Sequence, residues 1–206
     1  NSFPPPTFLD SSLVIHYDGS RWRDVGLRQD GFLNAVDGSG SRVLLVGRGA
    51  TFYYLDGTSL TADSVEVSPP PDSFFQLYSV TVSNSGEIHM LGSWHQNAFA
   101  RDGFFIFRRN LGRWSVSDSV IVDPNYLVNL WGYNKIWSSP WGIIYSLGAG
   151  VFELRGNNWI RTFVTQTALG GISASDQKCI FVVGHFGTVL HFNGTDWYQY
   201  PQFQNN

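Results

Sequence analysis

The 206-residue chain has a net charge of −3 at pH 7, and 14% of its residues are charged, against about 25% in an average soluble protein. Its 13 lysines and arginines are spread along the chain and form no basic stripe, so nucleic acid is not expected as a partner. The sequence lacks the run of about 18 apolar residues that spans a membrane, so membrane insertion is not expected either. With 16% aromatic residues and no long helical periodicity, the chain is expected to be all-β.

One short motif returns five times along the chain. Each copy has an apolar β-prone run, a tight turn with Gly, Asn or Asp, and then Trp or Leu, which is the pattern of a β-hairpin. The copies read VIHYDGSRW, FYYLDGTSL, FIFRRNLGRW, VFELRGNNW and VLHFNGTDW. Their turn glycines, Gly19, Gly57, Gly112, Gly156 and Gly194, follow at intervals of 38, 55, 44 and 38 residues. This spacing is typical of propeller blades.

A second motif precedes the last four hairpins and completes each blade. It consists of two apolar runs around a polar turn and ends on Gly47, Gly92, Gly148 or Gly184. We therefore predict an all-β propeller of four-stranded antiparallel blades, with strands A to D, about five blades and an incomplete first blade. The chain is expected to be one domain, 1–206, with a proline-rich extension at 1–10 and blades at roughly 11–28, 29–68, 74–123, 127–165 and 168–201.

The segment VVG-x-x-GTVLHFNGTDW resembles the repeat of bacterial β-propeller proteins, which read roughly VG-x-x-G-x-I-x-H-x-D/N-G-x-x-W. Such proteins are similar to photosystem II assembly factor-like, Asp-box (sialidase-type) and kelch propellers. The resemblance runs from Leu13 to Tyr200 and implies a fold more than a function, because propellers include scaffolds, lectins and hydrolases. The spacing from Asp18 to Trp22 is one residue short of the Asp-box pattern, which weakens a sialidase inference.

Four tryptophans recur at one position of the hairpin motif: Trp22, Trp114, Trp159 and Trp197. A residue copied into each blade normally fills the space between neighbouring sheets, so we expect these rings to pack between blades. A ring that stacks on a ligand is the alternative.

Two insertions interrupt the repeat. The segment SWHQNAFARDG lies between Gly92 and Phe104, and DPNYLVNLWGYNK lies between Val122 and Ile136. In a propeller, B-to-C and D-to-A connections emerge on one face, so both insertions should decorate the same surface, and loops on a rigid scaffold often carry specificity. An alternative is that Trp131 and Phe99 fold down over the central channel. The candidate binding residues are Trp94, His95, Gln96, Asn97, Arg101, Asn125, Tyr126, Asn129, Trp131 and Tyr133.

Catalysis is not expected. Glycoside hydrolysis requires two carboxylates about 5–9.5 Å apart, and the segments expected to form the inner strands, FLNAV, LYSVTV, KIWSS and GISAS, contain neither Asp nor Glu. No HxH, HxxxH or CxxC spacing indicates a metal site. A Ser-His-Asp triad stays open, because its members need only meet in space. We therefore expect no catalytic residue, no metal and no cofactor.

The sequence favours a non-catalytic binding module or scaffold that recognises a protein or glycan partner through the loop-rich face. The alternatives are a carbohydrate-binding lectin, with pockets repeated between blades, and a glycosidase-like or sialidase-like hydrolase. The low lysine content fits an extracellular, periplasmic or cell-surface protein. An incomplete blade would expose an unpaired strand edge, so association of two copies is a further expectation.

Overall fold

The computed structural model describes residues 12–28, 32–40, 42–57, 59–96, 101–110, 112–122 and 135–203. Within these residues the chain forms 18 β-strands and two short 3-10 helices, at His185–Gly187 and Pro201–Phe203. The strands of each sheet follow one another in chain order, and neighbouring strands are antiparallel. The described part of the chain is therefore a series of meandering sheets.

We number these sheets as blades 1 to 5. Blade 1 has two strands, β1 (Ser12–Tyr17) and β2 (Trp22–Arg28). Blade 2 contains β3 (Leu33–Ser39), β4 (Arg42–Gly47), β5 (Thr51–Asp56) and β6 (Ser59–Ser64). Blade 3 contains β7 (Ser73–Val82), β8 (Ile88–Gln96), β9 (Arg101–Asn110) and β10 (Arg113–Val122). Blade 4 contains β11 (Lys135–Ser138), β12 (Ile144–Gly148), β13 (Gly150–Arg155) and β14 (Asn158–Val164). Blade 5 contains β15 (Leu169–Asp176), β16 (Cys179–Gly184), β17 (Val189–Phe192) and β18 (Trp197–Gln199).

The blades stack as in a propeller. The first strands of successive four-stranded blades contact one another, β3 with β7, β7 with β11 and β11 with β15, and so form the inner layer. Apolar clusters fill the spaces between successive blades. Leu44 and Met90 belong to the cluster between blades 2 and 3, Leu91 and Ile144 to the next, and Leu147 and Ile180 to the last. The predicted all-β propeller of four-stranded antiparallel blades is confirmed for blades 2 to 5, and blade 1 has two strands within the described residues.

The hairpin turns have the chemistry that the repeated motif predicts. In blade 1, Asp18 Oδ1 accepts hydrogen bonds from the backbone N–H groups of Ser20, at 2.9 Å, and Arg21, at 3.0 Å. In blade 5, Asn193 Oδ1 accepts two equivalent bonds, each of 2.9 Å. The residue after each of these side chains is glycine with a φ near +95°, a conformation that suits residues without a Cβ.

The two ends of the stack differ from its middle. The second strands of blades 3 and 4, β8 and β12, are buried on both faces along most of their length. The equivalent strand of blade 5 alternates, with Ile180 and Val182 buried against blade 4 and Phe181 and Val183 exposed. Blade 5 therefore packs against a neighbouring blade on only one of its two faces within the described residues.

Blade 1 has the same one-sided burial at the other end of the stack. Val14 is buried against Leu45 of blade 2, whereas Leu13 and Ile15 point outward and are exposed. Within the described residues, β2 is the only strand that pairs with β1. The edge of β1 opposite β2 borders a mainly apolar groove of about 540 Å³ between blades 1 and 2. This groove lies where the other blades carry their first two strands.

Candidate functional site

Two kinds of connection meet at one end of the blades. Antiparallel strands alternate in direction, so the turn from the second to the third strand and the link to the next blade emerge on the same side. We call this side the loop-rich face. It carries residues 48–50 of blade 2, the link 65–72, the end of the β8–β9 hairpin and the 3-10 helix His185–Gly187.

The first predicted insertion is a longer hairpin over much of its length, where a loop was expected. Strands β8 and β9 pair continuously from Ile88–Arg109 to Gln96–Arg101. They contain 9 and 10 residues, whereas β4 and β5 of blade 2 contain 6 each. At about 3.4 Å per residue, the additional length carries the end of this hairpin roughly 10 Å beyond the rim of blade 2.

The structure corrects the prediction that Trp94 lies on an open binding loop. Trp94 is 5% exposed and belongs to the apolar cluster between blades 2 and 3. Its cross-strand neighbours are Phe75 and Gly103. A Cβ atom added at Gly103 would overlap the indole, so the ring lies directly over this glycine. Trp94 is thus part of the packed core.

The opposite side of the same hairpin is exposed. Phe74, His95 and Asp102 are cross-strand neighbours on β7, β8 and β9 and therefore share one side of the sheet. Arg48 places its guanidinium 4.9 Å from the centre of the Phe74 ring, a cation–π contact. The His95 Nδ1 atom pairs with the Asp102 carboxylate. We call Arg48, Phe74, His95 and Asp102 the hairpin row.

Of the other predicted site residues, the structure describes Gln96 in full and only the backbone of Arg101. Gln96 donates a hydrogen bond of 3.1 Å to the carbonyl oxygen of Pro71, which ties the hairpin to the preceding inter-blade link. Arg101 is the first residue of β9, and the structure describes only its backbone. The remaining candidates all lie outside the described residues: Asn97, Asn125, Tyr126, Asn129, Trp131 and Tyr133. Phe99, the other ring expected to cover the channel, also lies outside them.

The prediction that the repeated tryptophans pack between blades is confirmed for three of the four. Trp114 contacts Phe52 of blade 2 at a ring separation of 5.1 Å, and Trp197 contacts Phe163 of blade 4 at 6.3 Å. Trp159 packs on the cluster between blades 3 and 4. Trp22 differs, because it is 66% exposed. Each of these three partly buried rings rests on the preceding blade, and the described residues place no blade before Trp22.

The inner strands extend further than the sequence segments and include two carboxylates. Asp37 lies on β3, where its Oδ2 accepts a hydrogen bond of 2.9 Å from the N–H of Val82. Asp176 ends β15, and its Oδ1 accepts from the N–H of Lys178 at 2.7 Å. Both carboxylates are thus engaged in holding backbone. In the parts of the chain that the structure describes, no three His, Cys, Asp or Glu residues are grouped as a metal site requires.

Sequence reasoning missed His89. This residue lies on β8 within the apolar run IHMLG and is fully buried between blades 3 and 4. The signal was present in the repeat, because Leu44, Tyr145 and Phe181 occupy the same position before the closing glycine of the other blades. A polar residue in one copy of an apolar position marks a local departure from simple packing.

Comparison with known proteins identifies a fold and no family. No protein-family model matches the chain, and no curated protein matches it. Among solved structures, YCF48 from Cyanidioschyzon merolae superimposes with a TM-score of 0.55 at 11% identity, covering 95% of this chain and 70% of its own. This likeness supports the β-propeller architecture.

Two further structures have lower TM-scores. A PL25 polysaccharide lyase, an ulvan lyase, has a TM-score of 0.49 at 13% identity and covers 89% of this chain and 58% of its own. PorZ, a surface component of the type-IX secretion system of Porphyromonas gingivalis, has a TM-score of 0.40 at 10% identity and covers 95% of this chain and 39% of its own. At 11% identity, the likeness to YCF48 shows the fold alone.

Proposed function

We propose that the chain is a non-catalytic binding module or scaffold that holds a protein or glycan partner on its loop-rich face. The observation that carries this proposal is the hairpin row. It joins a cation, an aromatic ring and a His–Asp pair along one exposed side of a hairpin longer than those of blade 2. Aromatic and arginine side chains are enriched at recognition surfaces, where they supply most of the binding energy.

The shape of the row favours a protein partner. Its residues come from adjacent strands and lie in a line across the sheet, which suits an extended segment or a flat epitope better than a small molecule. Phe74 is 41% exposed, so a partner can bury additional aromatic surface there. The predicted residues Asn97, Arg101, Asn125, Tyr126, Asn129, Trp131 and Tyr133 would extend the same surface. Their aromatic rings and hydrogen-bonding groups suit a polar epitope.

The second candidate is a lectin function on the same face. Sugars bind through a stacking ring flanked by hydrogen-bonding side chains, and Phe74 beside His95 and Asp102 offers this combination. A lectin built on this place alone would have a single site and would lack the pockets repeated between blades that are expected of a lectin.

Location and self-association are parts of the same proposal. Within the described residues, no helix has the length and apolar character needed to cross a bilayer. An extracellular, periplasmic or cell-surface location would fit the lysine-poor composition. Association of two copies is favoured by the exposed apolar residues at both ends of the stack, among them Ile15 and Phe181.

A glycan array run beside affinity capture tests the proposal. The wild type is compared with Phe74→Ala and His95→Ala, and with Thr195→Ala as a control on an exposed turn of the opposite face. Glycan signals that the row variants lose would support the lectin candidate. A captured protein, purified and shown to bind directly, whose binding weakens in the row variants alone would support the scaffold. Equal binding by all four chains would place the site elsewhere.

A further inference from the structure

A notch opens between blades 3 and 4 on the side opposite the loop-rich face. Its volume is about 250 Å³, and its lining includes His89 and Arg108 of blade 3 and Asn157 and Trp159 of blade 4. The turn of blade 4 that carries Asn157 joins the third and fourth strands, which places it on that opposite side. The notch is thus separate from the hairpin row.

His89 is the unusual group in this notch. It is 0% exposed, and neither ring nitrogen has a hydrogen-bond partner among the described residues. Glu87 Oε1 lies 3.8 Å from His89 Nε2, too far for a hydrogen bond. A buried polar group without a partner is costly, by about 1–3 kcal/mol. Both nitrogens are closed to solvent in this structure, so an external ligand would remove that cost once a movement of the notch wall lets its hydrogen-bonding groups reach them.

The two charged side chains near His89, Arg108 and Glu87, have opposite signs and pair with each other. Arg108 Nη2 lies 2.8 Å from Glu87 Oε1, and Arg108 Nη1 donates a hydrogen bond of 3.1 Å to Asn157 Oδ1. Burial, assisted by the positive charge of Arg108, lowers the pKa of His89 to about 4, so the ring is neutral at pH 7. A free anion would meet the Glu87 carboxylate, and a cation would meet Arg108. The notch therefore suits an uncharged ligand.

The free hydrogen-bonding groups define the ligand further. A neutral imidazole offers one donor and one acceptor, and Arg108 Nε is a buried donor without a partner among the described residues. Ser115 and Ser117 line the same space; the Ser117 hydroxyl already donates to the Ile106 carbonyl oxygen at 3.0 Å, so it can serve a ligand only as an acceptor. A ligand hydroxyl both donates and accepts, so several hydroxyls on a small frame match this mixture of groups.

The wall of the notch opposite His89 is apolar, and the notch is small. Leu154 and Trp159 are partly buried and form its apolar side. An aromatic ring facing polar groups is the arrangement that receives the C–H face and the hydroxyl edge of a sugar. A volume of about 250 Å³ lies below the usual range for drug-sized ligands, of about 300–1,000 Å³, and indicates one ring.

We propose that this notch binds a single neutral sugar ring, with its hydroxyls against His89, Arg108 Nε and Ser115 and its C–H face against Trp159. The equivalent notch between blades 4 and 5 is lined by Tyr145, Glu153 and Trp197. No buried atom of those three residues lacks a hydrogen-bond partner among the described residues. The imidazole of His89, with both nitrogens unpartnered among the described residues, thus distinguishes the notch of blades 3 and 4 from that of blades 4 and 5.

The test measures binding of glucose, galactose and mannose by ligand-observed NMR titration. The wild type should bind at least one of them saturably. His89→Leu should weaken that binding by about tenfold or more, the loss expected for one or two hydrogen bonds. Leucine occupies the equivalent position in blade 2, as Leu44, so the substitution keeps the pattern of the repeat. Trp159→Leu is a second variant with the same expectation, in case the first does not fold.

Thr195→Ala, on an exposed turn of blade 5 outside both proposed sites, is the matched control and should bind the sugar as the wild type does. Absence of saturable binding of all three sugars to the wild type would mean that the notch holds only water, and the inference would be wrong. Wild-type affinity in both folded notch variants would also overturn it. Either result would leave the proposal for the loop-rich face unaffected, because that proposal is tested with different residues.

Discussion

The contact between Trp94 and Gly103 allows a quantitative test of which side of the β8–β9 hairpin is core. The two residues are cross-strand neighbours, and the indole covers the glycine Cα. A Cβ atom at position 103 would lie 2.7 Å from Trp94 Cζ2 and closer still to Nε1. Replacing Gly103 by Ala must therefore displace a buried ring that is only 5% exposed.

The expected magnitudes follow from packing. Gly103→Ala overpacks the site and should destabilise the fold by about 1–3 kcal/mol. Trp94→Ala removes a buried aromatic side chain and should cost about 3–5 kcal/mol. In the double variant the added methyl group meets empty space. The effect of Gly103→Ala should then fall below about 0.5 kcal/mol, which gives a coupling of about 1–3 kcal/mol between the two sites.

Urea unfolding of the wild type, the two single variants and the double variant measures this coupling. Gly170→Ala is the matched control, because a Cβ atom there meets nothing within 4 Å and the glycine needs no left-handed conformation. It should change the free energy of unfolding by less than about 0.5 kcal/mol. Additive effects of the Trp94 and Gly103 substitutions would refute the packing described for this hairpin.

Three further predictions concern pH and association. Burial holds the pKa of His89 at about 4, below its ordinary 6.5. The free energy of unfolding should therefore fall by roughly 3 kcal/mol as the pH drops from 6.5 to 4, because the ring must then be protonated in its buried site. His89→Leu should abolish this loss in urea titrations at several pH values. Hydrogen bonds from the backbone N–H of Arg21, then from Ser20, hold the pKa of Asp18 well below 3.8. The wild type should therefore lose free energy of unfolding when acid protonates this carboxyl, and Asp18→Asn should lose less of it below about pH 4. An acid unfolding transition at the same pH in both proteins would contradict this. Ile15→Lys should weaken self-association in sedimentation equilibrium, whereas a wild type that is monomeric at all concentrations would show that the ends do not associate.

Most of the fold could be predicted from the sequence, because the repeat itself carries the information. Turn glycines at blade spacing and the closing glycines Gly47, Gly92, Gly148 and Gly184 identify the strand pairs. The exposure of Trp22 could not be predicted from its own motif. Burial of that ring depends on a preceding blade, which is a property of neighbours in space.

The candidate site could be predicted only in part. The composition of SWHQNAFARDG indicated recognition, but it did not distinguish a loop from two extended strands. In a strand, neighbouring side chains point to opposite faces, so Trp94 turns into the core and His95 turns outward. The contribution of Arg48 and Phe74 also requires the structure, because Arg48 comes from blade 2 and Phe74 lies on β7, the strand of blade 3 that pairs with β8.

The most direct test of the central claim is the dissociation constant of a purified partner for the wild type and for Phe74→Ala. Phe74 is the aromatic centre of the hairpin row and is partly exposed, so its replacement should leave the unfolding midpoint nearly unchanged. We expect binding to weaken by about tenfold, or 1.4 kcal/mol, as for a residue central to an interface. An unchanged dissociation constant would contradict the assignment of the loop-rich face as the binding surface.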